Sequence, residues 1–314
     1  MAITTEAMIA EYGAYYINSG QNMSRMRRLL LFEQETKKFC VPMVIEDTVY
    51  EMSESKMNSV VQSFQKGWTP KGDIEFTPNK IELQRLKIDI ELYPDDIEGT
   101  WLGWLASNSL TRSEWPFIRY VMESHVYDQI NDDMETNELY LGEYEKPTSG
   151  TAGLNGKSLN GIKKNLKKAD INHDTTIGSL EKSTIYDQFE AVFELVSEVY
   201  KKKDLMICCS PTWERSFLKD KRSLGFYTIS GANQIDNSID FTKAGVAGLP
   251  SMLGTNDWFI TPKTNLLSIT KKGQTANALK VEESKRCVNL LGDWREGIGF
   301  GMNQIVWTNV EAAV

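Results

Sequence analysis

The sequence predicts an α+β fold, and three observations carry that prediction. Apolar residues alternate with polar ones between Ile81 and Leu92, the period of a strand with one face covered. From about 115 to 138 they recur instead at three- and four-residue steps, the period of an amphipathic helix. After about 224 the chain turns to short strand-like pieces punctuated by glycine, and a strand-turn-helix unit, "DLMICCSPTWERSFL", stands between the two regimes.

Taken in order, the first 40 or so residues hold two amphipathic pieces, "TEAMIAEYGAYYI" and "SRMRRLLLFEQETKKF", joined by the turn-like "NSGQN". They read as an arm that needs a partner surface. A long hairpin follows, its tip at "QKGWTPKGD". Ile81 and Leu83 set one alternation, and Leu86, Ile88, Ile90 and Leu92 resume it one step out of phase, which predicts a bulge or sharp bend. Trp101, Leu102, Trp104 and Leu105 mark a short helix. In the long helix after it, Ile118, Val121, Met122, His125, Val126, Ile130 and Met134 form one stripe about 35 Å long at 1.5 Å per residue.

Residues 142 to 184 are loop-rich and include the basic helix "SLNGIKKNLKKAD", with Ser158 placed to cap it. A helix from Thr184 to Lys203 buries Ile185, Phe189, Val192, Phe193, Val196 and Tyr200, and Thr184 with Asp187 resembles a capping box. Ser210 and Pro211 stand where a helix N-cap and first position are expected after the strand "LMICC".

Length and composition narrow the function classes. A chain of 314 residues buries a core large enough to need no staples. Its net charge of −8 argues against a dedicated nucleic-acid binder. Cys40, Cys208, Cys209 and Cys287 form no C-x-x-C pair, so free buried thiols and synthesis in a reducing, intracellular compartment are expected. "LLLF" is too short for a signal segment or a membrane span, which needs about 20 apolar residues.

Several patterns invite a chemical reading. "SGTAGLNGKS" at 149 to 158 approaches the phosphate-binding G-x-x-x-x-G-K-[ST], with Gly156, Lys157 and Ser158 in place but Thr151 at the first glycine. No buried strand precedes it, which favours a glycine-rich connector over a nucleotide site. "GIGFG" at 297 to 301 has Met302 where a dinucleotide motif needs its third glycine, so Gly297, Gly299 and Gly301 are expected to line a strand face that another backbone approaches. His125 and His173 are the only histidines; His125 lies on the helix stripe and is expected in the core. Asp95, Asp96, Asp132 and Asp133 read as helix-end or solvated charge, and Lys157, Lys163, Lys164, Lys167 and Lys168 as a solvated face. No catalytic, cofactor-binding or metal-ligating residue is assigned.

The order of the segments "SEWPFIRYVMESHVYDQINDDME", "STIYDQFEAVFELVSEVYKKKDLMICCSPTWERSFL", "VAGLPSMLGTNDWFITPKTNLL" and "GDWREGIGFGMNQIVW" resembles the major capsid proteins of tailed bacteriophages. Their HK-ninety-seven-like fold is shared with encapsulin shells. The resemblance implies an N-arm over 1–45, an extended E-loop hairpin over 46–93, a peripheral domain with a spine helix over 94–149, an axial α/β domain over 150–245 and a β-rich return over 246–314. It implies a non-enzymatic subunit without cofactors that assembles as hexamers and pentamers around double-stranded DNA, built in the host cytoplasm and resident in the virion. A portal protein would be its partner, a separate scaffolding protein or none would serve assembly, and decoration proteins are left open, with no membrane and no sequence-specific DNA contact. An encapsulin-like compartment is the alternative, and a nucleotide-binding enzyme using 150–158 the second.

Overall fold

The computed structural model describes residues 34–108, 120–121, 125–174, 176–225, 229–230, 234–273, 280–284 and 287–313. Residues 1–33 of the arm expected over 1–45 lie outside them, as do Ile118 and Met122 of the helix stripe.

The first half of the chain runs through α1 (Glu35–Lys38), β1 (Val41–Ile45), β2 (Val49–Met57), β3 (Ile74–Glu82), β4 (Gln84–Leu92), α2 (Pro94–Ser107) and α3 (Tyr127–Asp133), which passes into a π-helical turn at Met134–Glu138. Then come α4 (Ile162–Leu166), β5 (Asn172–His173), α5 (Ile185–Glu194), α6 (Glu198–Lys201), β6 (Leu205–Cys209) and α7 (Pro211–Ser223). The last part holds β7 (Ile229–Ser230), β8 (Gln234–Ile235), β9 (Ala244–Gly248), β10 (Phe259–Pro262), β11 (Leu266–Lys271), β12 (Lys280–Ser284), β13 (Cys287–Phe300) and β14 (Trp307–Thr308). The α+β class expected from the sequence is therefore the class observed.

Two five-stranded sheets carry the architecture. In the first, β1 lies parallel to β11, β11 pairs antiparallel with β13, and β13 also pairs with β12 and with β4. The second has the order β5-β14-β10-β6-β9, with β6 parallel to β9 and antiparallel to β10. The boundary expected at 245 runs through β9.

Strand β6 explains why "LMICC" reads as an unbroken apolar run. Met206 and Cys208 point into one core, with Leu139, Ile162, Phe259 and Phe300, while Leu205, Ile207 and Cys209 point into the other, with Phe189, Phe217, Val246 and Trp258. A strand buried on both faces has no polar face to alternate with.

The phase slip near residue 83 marks a change of partner. Up to Glu82 the chain pairs with β2, and from Gln84 it pairs with β13 for nine residues. Leu83 sits between, its N–H donating to Thr48 O (2.8 Å), and Ile81, Leu83 and Leu86 are all buried. The expected bend is thus the corner where the hairpin leaves the body.

Three local expectations are corrected. The helix expected over 184–203 breaks after Glu194, because Ser197 takes an extended backbone at the N-cap of α6 and lets Tyr200 reach Trp307 (6.3 Å between rings). Thr184 makes no side-chain cap; Asp220 of α7 instead accepts from Tyr186 N (3.0 Å), satisfying a first-turn donor from outside. Ser158 does not cap α4, whose N-cap position is Gly161. The first donors of α4 bond to carbonyls just after the π-helical turn, Ile162 N to Leu139 O (2.9 Å) and Lys163 N to Tyr140 O (3.0 Å). Ser210 and Pro211 do occupy the N-cap and first position of α7, but the buried Ser210 hydroxyl makes no capping bond.

Candidate functional site

The glycine-rich connector does build an anion seat, and the chain fills it itself. Gly156 N donates to Glu138 Oε1 (2.9 Å), while Ser158 N and Leu159 N each donate to Glu138 Oε2 (3.1 Å). Gly156 takes φ +75°, a left-handed backbone open to glycine, which turns these amides inward. Converging backbone N–H groups are what a phosphate loop offers its ligand. Here a buried carboxylate holds that position, and Lys157 reaches out to Glu145 (3.7 Å).

Glu138 belongs to the π-helical turn, whose wider i to i−5 spacing shows in Leu139 N to Met134 O (2.9 Å). The same turn presents a second buried carboxylate, Glu135. It accepts from Thr36 N (3.2 Å), from the Thr36 hydroxyl and from Ser251 N (3.1 Å). Burial raises the Glu135 carboxyl above its usual value, against the hydrogen bonds from Thr36 and Ser251, which pull it down. One turn of helix thereby clasps Thr36 of α1 with one carboxylate and the connector with the other. Lys37 adds an ion pair to Glu296 on β13.

The base of the hairpin is anchored on the glycine strand. A Cβ at Gly297 would stand 2.9 Å from Glu82 O, and one at Gly299 would stand 3.0 Å from Ile81 Cδ1. The close approach expected for "GIGFG" is therefore real, and the approaching backbone is the corner of the hairpin. Asn79 completes the joint: its Nδ2 donates to Phe300 O (2.7 Å) and Gly301 O (2.9 Å), and its Oδ1 accepts from Asn303 Nδ2 (3.1 Å). Toward the tip the described side chains of the hairpin are bare. Phe64 and Trp68 at the tip are 94% and 92% exposed, and Val61 and Phe76 are also exposed.

The remaining candidates take structural positions. His125 sits edge-on to Tyr120 (5.4 Å between rings) with Nε2 3.3 Å from its hydroxyl oxygen, and both ring nitrogens of His173 face carbonyls, of Val310 (2.6 Å) and Lys168 (2.8 Å). Among the lysines, Lys163 pairs with Asp257 (2.7 Å), Lys164 with Glu143, and Lys168 lies 3.3 Å from Asn79 Oδ1. Asp95 and Asp96 fall in the first turn of α2, and Asp133 accepts from Gln129 (3.0 Å). Cys40, Cys208 and Cys209 are buried free thiols, and Cys287 is half-buried. Burial pushes Cys40 up to about 12. Among the described residues no cluster fit for a metal occurs, and no helix is long and apolar enough to cross a membrane.

Reading the sequence missed Glu135, Glu138 and Asn79. The only signal for the two glutamates was their three-residue spacing beside Met134 and Leu139, which places them toward the buried side of the helix.

No protein-family model matches the chain, and no curated protein matches it. Solved structures do. A chain of the satellite phage P4 procapsid, which includes the size determination protein Sid, aligns over 97% of both chains at 10% identity with a TM-score of 0.55. The capsid of Myoviridae phage XM1 aligns over 88% of this chain and 91% of that one at 12% identity, TM-score 0.53. The holo-SrpI encapsulin complex of Synechococcus elongatus PCC 7942 aligns over 90% and 89% at 9% identity, TM-score 0.51. Whole-chain likeness to all three means that this chain has the HK-ninety-seven-like fold of phage capsid and encapsulin shells.

Proposed function

We propose that the chain is the major capsid subunit of a tailed phage, a structural protein that assembles as hexamers and pentamers into an icosahedral shell around double-stranded DNA. The observation that carries this reading is the hairpin, held at its base by Asn79 and the glycine face yet carrying Val61, Phe64, Trp68 and Phe76 in the open. An isolated two-stranded hairpin is marginal in water. An apolar one on a fixed base makes sense when a neighbouring copy covers it, and many such contacts repeated by symmetry close a shell.

On this reading residues 1–45 are the arm, 46–93 the E-loop, 94–149 the peripheral domain, 150–245 the axial domain and 246–314 the return to the periphery. The subunit catalyses nothing and resides in the virion after assembly in the host cytoplasm. Further copies of the chain and a portal protein are its partners, with a separate scaffolding protein or none. The net charge of −8 keeps the inner wall from gripping the genome tightly.

Negative-stain microscopy of the purified protein across a concentration series tests the proposal, with rings or closed shells expected. Monomers under every condition would overturn it. Shells recovered from the native source that hold an enzyme rather than DNA would replace it with the encapsulin reading.

A further inference from the structure

Phe241 is fully exposed and is the non-glycine residue with a positive φ, +60°, among the described residues. A bulky side chain in that backbone region is strained, and such strain persists only where the surroundings enforce it. The loop from 236 to 243 is built to enforce it. Lys221, 1% exposed, sends its ammonium from α7 to Ser238 O (2.6 Å), Asp236 O (3.3 Å) and Asp240 Oδ1 (2.8 Å). Ile239 is buried, with its N–H on Ala244 O (2.9 Å), and Thr242 N returns to Ile239 O (3.2 Å). Asn237 is tied to β9 in both directions, through Val246 N to its carbonyl (2.9 Å) and its Nδ2 to Val246 O (2.9 Å). A rigid pedestal thus presents one bare aromatic ring.

We propose that Phe241 is a preorganised anchor by which the 236–243 loop docks onto a second copy of this chain; the proposal rests on the shell reading above. The shape suits a protein partner, since small ligands take concave sites and this is a knob. The loop offers no cationic surplus to a phosphate-rich partner, since Asp236 and Asp240 are matched by Lys221, paired with Asp240, and by the exposed Lys243. Rigid aromatics whose ordering cost is already met are the residues that dominate protein interfaces. In a ring of copies the contact is heterologous, with the knob of each subunit on a different surface of the next.

The test compares wild type with Phe241→Gly and Phe241→Asn, two residues that accept this backbone, so the subunit stays folded with a melting temperature no lower than that of wild type. Assembly of purified protein is followed by sedimentation over a concentration series. Half-assembly should require about tenfold more of either variant, and a benzophenone side chain at 241 should yield a covalent dimer on irradiation. If wild type assembles and both variants assemble at the same concentration, the anchor is wrong and the shell reading stands. If wild type never assembles, both fall.

Discussion

The carboxylate of Glu138 occupies the amide seat of Gly156, with 2.9 Å between Gly156 N and Glu138 Oε1. Ser158 N and Leu159 N complete the seat, so one side chain satisfies three backbone donors. Glu138→Ala strips all three of a charged acceptor and should destabilise the fold by about 3 kcal/mol, at roughly 1 kcal/mol or more per donor. Urea unfolding measures it. By contrast Lys157→Ala, which removes an exposed partner of Glu145, should change neither stability nor the absence of ATP binding by calorimetry. ATP binding that disappears in Lys157→Ala would show that nucleotide displaces Glu138.

The joint between hairpin and body makes a graded prediction. At Gly297 an added methyl meets a backbone oxygen, Glu82 O at 2.9 Å, while at Gly299 it meets Ile81 Cδ1 and Cγ1 at 3.0 Å, the outer atoms of a side chain that can turn. Gly297→Ala should therefore cost about 2 kcal/mol by overpacking and Gly299→Ala about half that. Ile81→Val removes Cδ1 but keeps Cγ1, so it should relieve the second in part and the first not at all. Equal costs at the two positions, measured by denaturant unfolding, would mean that the hairpin corner does not bear on this face.

Those two cases also show what a sequence makes legible. The alternating glycines at 297 to 301 and the slipped phase around Leu83 are local patterns, and both pointed to the joint where Ile81 and Glu82 lie against β13. Glu138 was hidden, because its partners lie 18 to 21 residues away in a segment that resembles a nucleotide loop by composition. Thr36 and Glu135 are 99 residues apart, and neither residue type announces a buried pair. The break at Ser197 was equally invisible, since Val196 and Tyr200 continue the helical period through it. Periodicity reports which face is buried, but the polar contacts that clasp distant segments depend on tertiary neighbours.

Glu135 links the clasp to pH. Its folded-state value lies above the 4.5 of an unperturbed glutamate, chiefly through burial. The folded chain then binds this proton more tightly than the unfolded chain, so the contribution to stability is fully present below about pH 4.5 and is lost as pH rises through the folded-state value. Glu135→Gln removes the titration. Subtracting the variant's unfolding free energy from that of wild type, pH by pH, should give a difference that declines from pH 4.5 upward and then levels. Glu214, which burial also raises, is common to both proteins and cancels. Parallel curves over that range would mean that Glu135 titrates no differently when folded.

Lys221 is the buried cation on which the Phe241 pedestal depends. Its ammonium is the partner of Asp240 and of two backbone carbonyls, and its side chain is 1% exposed. Lys221→Met keeps the apolar stem and removes the charge, leaving Asp240 and both carbonyls without their donor. Asp240 is 31% exposed and water can replace part of what the lysine gave it, so breaking this pair costs about 2 kcal/mol. The loss should be local as well as global, with amide hydrogen exchange at Ile239 and Thr242, whose N–H groups close the loop, accelerating by more than the amides of β6, which follow only the loss of global stability. Replacing Asp240 as well, in Lys221→Met with Asp240→Asn, should recover part of the stability because no unpaired carboxylate remains. If exchange at Ile239 and Thr242 is unchanged in Lys221→Met, the loop holds its shape without the lysine, and the strained backbone of Phe241 has another cause.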